Sequence, residues 1–357
     1  MDMKHVIVGM SGGVDSAVCA YLLKQQGYEV TGVTLRTLER SGDAWVRCCD
    51  IDDASAACER IGIGFHAFNC TPVFRQKVIE PFMDCYLSGR TPNPCIECNR
   101  HVKWEMLLYY MKVLNADMIA TGHYAHIDRL DNGRYTVRAS GNQSKDQSYM
   151  LWKLSQEQLE RTLMPLGDMT KEEVRQIAQK AGIPVADKPD SQEICFVHDD
   201  DYARFIGENH DGDVPPEGDF VDEDGNILGR HKGIIHYTIG QRKGLGIAMG
   251  RPVFVKRINP ADNTVVLADN DSLYDRTVIC SDINLMGISR IEGELRCRAK
   301  IRYHHTPQKA VVHMEDGKLV ITFEEPVRAV TPGQSAVMYS DDGYVIGGGV
   351  IEDTQIR

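Results

Sequence analysis

No run of apolar residues in this 357-residue chain exceeds seven positions, far short of the roughly 20 that a bilayer-spanning helix needs. The N-terminal MDMKHVIVGM lacks the long apolar core and small-residue cleavage site of a secretory signal. These absences predict a cytoplasmic protein with no membrane partner. There is no internal repeat and no low-complexity tract, and 42% hydrophobic with 25% charged residues is ordinary for a globular chain. Disorder, collagen and coiled coil are excluded as overall descriptions. Nor is there a basic excess: 40 Lys and Arg against 51 Asp and Glu give a net charge of −11. Taken over the whole chain, that argues against a polyanionic partner. What the chain does have is 11 cysteines. That odd number, without an export signal, points to thiols, metal ligands or catalytic groups rather than a disulfide framework.

The charge is unevenly spread. The stretch 198–224 carries Asp199, Asp200, Asp201, Glu208, Asp211, Asp213, Glu217, Asp219, Asp222, Glu223 and Asp224 against a single basic residue, Arg204. The next stretch, 229–257, carries Arg230, Lys232, Arg242, Lys243, Arg251, Lys256 and Arg257 with no acid between them. A nucleic acid responds to the local field rather than to the sum, so a basic face is predicted there. The acidic stretch reads as a solvent-facing linker or a docking site for a basic partner.

The length suits two or three domains. The first third alternates strand-like and helix-like segments. Strands are predicted at 5–10, 29–35, 65–68 and 117–121, and helices at 15–26, 52–60, 72–87 and 104–114. This rhythm predicts an α/β domain with a doubly wound, mostly parallel sheet, whose ligands sit at the carboxyl ends of the strands. Beyond the Gly- and Pro-containing stretch 199–229 the segments are short and rich in Val, Ile and Thr, with turns such as NPADN and SDDG. They predict a small β-containing central domain and then a C-terminal β-barrel.

Gly9, Met10, Ser11, Gly12, Gly13, Val14, Asp15 and Ser16 join the first strand to the first helix. Adjacent glycines let the backbone approach a ligand closely, and the helix behind them offers unpaired N–H groups and the positive end of its dipole. Ser11 and Ser16 add hydroxyls, and Asp15 can hold Mg²⁺ against phosphates. No lysine is present, which excludes the Walker A loop, where a lysine reaches the phosphates. A Gly-rich strand–helix turn is the plainer reading, but SGGxDS directly after a first strand favours nucleotide binding. The loop resembles the PP-loop of the N-type ATP pyrophosphatases, which cleave ATP between the α- and β-phosphates and adenylate a substrate.

Further segments narrow the resemblance: TPNPCIECNR at 91–100, ATGHY at 120–124, KDQSY at 145–149, DSQEICF at 190–196, GQRKGLG at 240–246 and AVTPGQ at 329–334. With these in order, the chain is similar to the tRNA-specific 2-thiouridylases over essentially its whole length. The resemblance implies a PP-loop, adenine nucleotide hydrolase-like domain over 1–200, a central tRNA-contacting domain over 201–275 and a β-barrel over 276–357. It implies sulfur insertion at C2 of the wobble uridine in tRNA, with the tRNAs for lysine, glutamate and glutamine as expected acceptors. ATP first adenylates the uridine oxygen, turning a poor leaving group into a good one. A persulfide on Cys195 then delivers sulfur, and Cys98 releases it by attacking the persulfide and leaving a disulfide. Cysteine desulfurases or sulfur relay proteins are the donors this implies. The resemblance places ATP, with Mg²⁺ and catalytic Asp15, against residues 9–16, Leu35 and Gly122. It places tRNA against Asn93, Pro94, Cys95, His123, Lys145, Asp146, Gln147, Arg242, Lys243, Arg302, Tyr303 and Gln334.

One position departs from the family. Many members carry Asp where this chain has Cys95, which removes a carboxylate that can act as acid or base. Cys95, Cys98 and Cys195 can instead ligate three irons of a [4Fe–4S] cluster, leaving the fourth iron to bind sulfide. Structural zinc usually needs a fourth ligand, and no second CxxC exists. Cys48 and Cys49 read as surface or packing thiols. Cys19, Cys58, Cys70, Cys85, Cys280 and Cys297 read as core. On a strand, Arg298, Lys300, Arg302 and His304 would share one face and add to the basic surface. Two other function classes stand beside sulfur transfer: an adenylating ligase with a different nucleophile, which would not need Cys98 and Cys195, and a metal-stapled RNA-binding protein without turnover.

Overall fold

A computed structural model of the chain describes residues 3–38, 50–142, 144–188, 194–197, 199 and 201–353. Cys48, Cys49 and the segment Asp190–Glu193 lie outside the described residues. The N-terminal sheet has five strands: β1 (His5–Gly9), β2 (Glu29–Arg36), β3 (Gly64–Asn69), β4 (Met118–Ala120) and β7 (Thr162–Leu163). They lie in the order β3-β2-β1-β4-β7, every pair parallel. In β1, Val6, Ile7 and Val8 are all fully buried. Ile7 belongs to one apolar cluster, Val6 and Val8 to another. A central parallel strand covered on both faces produces that run of β-branched residues.

Helix α1 (Val14–Gln25) follows β1 and ends where Gly27 turns at φ +88°. Helix α2 (Ile51–Ile61) is capped by Asp50, whose carboxylate accepts from Asp53 N at 3.3 Å. The predicted helix over 72–87 is present over 71–87 as α3, with a π-helical segment at Arg75–Ile79. The helix predicted at 104–114 begins much earlier. Helix α4 runs over 94–113, α-helical at Pro94–Glu97, π-helical over Cys98–Trp104 and α-helical again over Glu105–Val113. Pro94 at its first turn suits a helix start, because the missing N–H would have no intrahelical partner there. A hairpin of β5 (Ala125–Arg129) and β6 (Tyr135–Ala139) and helix α5 (Lys171–Ala181) complete the domain. Thr170 and Glu173 form a reciprocal capping box at the start of α5.

The acid-rich stretch is not a linker. Helix α6 (Tyr202–Asn209) and strand β8 (Gly218–Val221) fall inside it, and Phe220 is fully buried. With β9 (Ile227–His231), β10 (Phe254–Asn259) and β11 (Thr264–Ala268), β8 forms a four-stranded sheet in the order β10-β11-β8-β9. Its acids pair with the basic stretch that follows: Asp219 with Arg230 at 2.9 Å, and Glu223 with Lys256. Arg251 pairs with Asp269. Part of the basic excess is thereby neutralised within the sheet.

The last six strands are β12 (Tyr274–Leu285), β13 (Leu295–Lys300), β14 (Gln308–Glu315), β15 (Lys318–Arg328), β16 (Ser335–Tyr339) and β17 (Val345–Asp353). They close into a barrel in the order β12-β15-β14-β13-β16-β17. Strand β13 stops at Lys300, so the basic face expected along Arg298, Lys300, Arg302 and His304 does not form. Arg298 is exposed and bound to Asp341, while Lys300 is buried. No helix among the described residues is long and apolar enough to cross a membrane.

The three units meet at one turn. Gln334 Nε2 donates to Thr91 O at 2.9 Å and Pro92 O at 3.0 Å, and Thr91 N donates to Pro332 O at 2.9 Å. Thr91 Oγ1 lies 3.3 Å from Thr238 Oγ1 of the central unit. At Gly333 the backbone is at φ +92°, and a Cβ there would lie 2.8 Å from Thr91 O. Gly333→Ala is therefore expected to lower stability by about 1–3 kcal/mol, read as a lower urea midpoint at unchanged slope.

Candidate active site

The strand order reverses direction beside β1, between it and β4, which opens a crevice at their carboxyl ends. Two segments wall it: Met10–Gly13 after β1 and Thr121–Tyr124 after β4. Gly12 takes φ +75° and passes so close to α2 that a Cβ would lie 2.6 Å from Asp50 O. Ser16 Oγ donates to Gly13 O at 3.0 Å and accepts from Ser11 N at 3.2 Å, which folds the loop back over the start of α1. Ser11 is exposed and Gly13 half-buried. Met10 and Val14 send their side chains into the core, so only their backbones face the loop. Leu35 is also core. Gly122 has a steric role: a Cβ there would lie 2.7 Å from Asp15 C and 2.8 Å from Ser16 N.

Asp15 is engaged. Lys171 Nζ, from the first turn of α5, lies 2.8 Å from both carboxylate oxygens, and Tyr124 Oη donates to one of them at 2.7 Å. The loop carries no lysine of its own, yet a buried ammonium stands beside it. Sequence reasoning missed Lys171 and Tyr124. The capping box marks the start of α5, but nothing in residue spacing pairs position 171 with position 15. Next to Tyr124, His123 Nδ1 is 2.9 Å from Thr121 Oγ1 and its ring lies 5.3 Å from Trp104. Burial, with Lys103 nearby, holds His123 well below its ordinary pKa, so it is neutral at pH 7.

The thiols separate by environment. Cys19, Cys58, Cys70 and Cys280 are buried as expected, whereas Cys85 and Cys297 are only half-buried. Burial pushes Cys58 and Cys297 up to about 12 and Cys70 up to about 11, too high for thiolate chemistry near neutral pH. Cys95 is exposed in the first turn of α4, and Cys98 is half-buried where its π-helical segment begins. Cys98 and Cys195 pack against the same apolar cluster. Phe196 beside Cys195 sets its ring edge-on to Phe74 at 5.7 Å and Phe82 at 5.1 Å, both on α3. Among the described residues, no group of three His, Cys, Asp or Glu side chains is disposed to hold a metal ion. Cys95, Cys98 and Cys195 are not part of any such single-ion group.

The residues expected at tRNA divide into outward and inward groups. Arg242 and Lys243 are exposed on a glycine-rich turn held by Gln241, whose Oε1 accepts from Thr238 N at 3.0 Å. Lys145 is half-buried; Asn93, also half-buried, points its amide at Met150 Sδ, 3.6 Å away, and Pro94 is buried. Gln147 Oε1 accepts from Tyr124 N at 2.9 Å and so ties its segment to the crevice wall. Asp146 faces inward and accepts from Ser140 N and Ser148 N, each at 3.1 Å. Lys300 lies over the rings of Tyr149, Tyr303 and Tyr339 at 5.4, 5.8 and 5.5 Å. Arg302 donates to Ile239 O at 3.0 Å and Ala329 O at 2.9 Å, bracing the central unit against the barrel. Gln334 makes the domain contact described above.

Gly122→Ala would drive a methyl group into the backbone at Asp15 and Ser16. It is expected to weaken ATP binding by at least about tenfold, roughly 1.4 kcal/mol, measured by titration calorimetry.

Family models match in chain order: a tRNA methyl transferase HUP domain over residues 4–199, a tRNA methyl transferase PRC-barrel domain over 206–269 and an aminomethyltransferase β-barrel domain over 275–351. The chain is 48% identical over 359 residues to the tRNA-specific 2-thiouridylase MnmA of Clostridium perfringens, covering 99% of each chain. It is 50% identical over 361 residues to that of Acetivibrio thermocellus, covering 99% of this chain and 100% of the relative. Among solved structures, the U34-tRNA thiolase NcsA of Methanococcus maripaludis with its [4Fe–4S] cluster is similar at 19% identity and TM-score 0.36, covering 54% of this chain and 62% of that one. At this level of identity over nearly the full length, the chain belongs to the tRNA-specific 2-thiouridylase family.

Proposed function

We propose that the chain uses ATP to replace O2 of the wobble uridine of tRNA with sulfur. The observation that carries the reading is the crevice between β1 and β4. There a glycine loop, a helix N-terminus and the Asp15–Lys171 pair stand together in a chain of this family. The loop's backbone N–H groups and Ser11 hold the polyphosphate of ATP, and the uridine O2 attacks the α-phosphorus as pyrophosphate leaves. Mg²⁺, which would neutralise phosphate charge, would have to share Asp15 with Lys171 and Tyr124, whose contacts already occupy both carboxylate oxygens. Neutral His123, at the crevice wall, is available to donate or accept one hydrogen bond from the flipped base.

Sulfur transfer follows. The terminal sulfur of a Cys195 persulfide attacks C2 of the adenylated uridine, and AMP departs with the former O2. The Cys98 thiolate attacks Cys195 Sγ and breaks the persulfide S–S bond. Both electrons of that bond stay with the sulfur on C2, and a Cys98–Cys195 disulfide remains for a cellular dithiol to reduce. Common packing of both residues on one apolar cluster supports this pairing. A cysteine desulfurase or a sulfur relay protein reloads Cys195. The tRNA backbone lies along the exposed Arg242–Lys243 turn, with Cys95, Asn93, Lys145, Gln147 and Tyr303 nearer the base.

Cys98→Ser and Cys195→Ser should each abolish 2-thiouridine formation while leaving tRNA-dependent ATP–pyrophosphate exchange intact. Thiolation at the normal rate in either variant rules out this use of the thiols. Because phosphate contacts release counterions, tRNA affinity should fall steeply with salt. Arg242→Ala and Lys243→Ala should each reduce the log–log slope by about 1. A slope unchanged in both variants removes the turn from the tRNA path.

A further inference from the structure

Lys153 has a side chain only 4% exposed, yet it is bound to two carboxylates from different domains. Its Nζ lies 2.5 Å from Glu97 Oε1 and 2.6 Å from Asp282 Oδ2. Glu97 is the residue before Cys98, inside the CxxC of α4. Asp282 belongs to barrel strand β12, at a register irregularity between Ser281 and Asn284, and takes φ +45°, a region that side-chain-bearing residues rarely occupy. The same irregularity grips the backbone on both sides of Lys153: Asn284 Nδ2 donates to Trp152 O at 2.6 Å and to Leu154 O at 3.2 Å. Arg100, two residues past Cys98, reaches Asp282 Oδ1 at 3.7 Å.

Only the ammonium is buried: the Glu97 side chain is 28% exposed and that of Asp282 52%, so the two ion pairs add little net stability beyond compensating the buried charge. What such a triad imposes is one fixed geometry. Here the geometry runs from a strained barrel strand, through a buried ammonium, to the peptide unit that precedes Cys98. Together with Gln334 on Thr91 and Pro92, it fixes the segment 91–97 to the barrel on both sides of Cys95. We propose that Lys153 is a positioning residue for sulfur transfer, relaying the barrel's position through Glu97 to Cys98. The proposal rests on the assignment of Cys98 as the sulfur-releasing thiol. It also gives Glu97 a role different from the acid or base missing at position 95, since its carboxylate is committed to Lys153.

The test is single-turnover 2-thiouridine formation by persulfide-loaded full-length enzyme, with ATP–pyrophosphate exchange and tRNA affinity measured in parallel. Displacing a reacting group by about 1 Å can slow a reaction on the order of 100-fold. Glu97→Gln and Asp282→Asn, both isosteric, should each slow sulfur transfer toward that extent with exchange and tRNA affinity unchanged. Because the two carboxylates act in series through one ammonium, the double variant should be no slower than the slower single variant. Sulfur transfer at the wild-type rate in Glu97→Gln overturns the proposal. So does multiplication of the two single effects, or a parallel fall in exchange. If Cys98→Ser itself still makes 2-thiouridine, the assignment of Cys98 is what has failed; if Cys98→Ser is inactive and Glu97→Gln is normal, only the relay has failed.

Discussion

The close approach of Gly122 to the first turn of α1 sets the geometry of the crevice. With no side chain at 122, the chain leaving β4 passes directly against the backbone of Asp15 and Ser16. That contact brings Tyr124 within reach of the Asp15 carboxylate and leaves His123 at the crevice wall. Glycines at 12 and 122 thus act as spacing devices, each letting two backbones meet where a Cβ would hold them apart. The Met10–Gly13 loop, the Thr121–Tyr124 wall and the segment carrying Gln147 are all referenced to this one contact.

A second theme is the number of cations turned inward. Lys153, Lys171 and Lys300 are buried, and Arg302 is half-buried among carbonyl oxygens. Buried charges require partners. Here the partners are carboxylates from distant segments for the first two, tyrosine rings for the third and backbone acceptors for the fourth. Each joins elements far apart in sequence, and three of them, Lys153, Lys300 and Arg302, join domains. In a chain of net negative charge these groups act as connectors, while the cations on the 242–243 turn stay exposed.

The sequence reading reached the parallel sheet, the glycine loop between β1 and α1 and the closing barrel because each has a local signal: β-branched runs, glycines followed by a helix, short strands with turn residues. It placed the start of α4 too late because Pro94 is compatible with a helix start and the π-helical turns that follow carry no distinctive composition. It took the acidic stretch for a linker because charge density hid strand β8, in which Gly218, Phe220 and Val221 are buried while the one acid, Asp219, pairs with Arg230 across the sheet. It drew a basic face along 298–304 by extending period-two alternation past the end of β13.

Residue order alone determined which elements form and where chemistry-bearing groups concentrate, since helix caps, glycine turns and apolar alternation act over a few positions. Only the folded chain decided which charges face water and which bind one another. Lys171 meets Asp15 across 156 positions and Lys153 meets Asp282 across 129. Such pairs are selected by the three-dimensional packing of domains and by the penalty on an uncompensated buried charge, neither of which leaves a mark in local spacing.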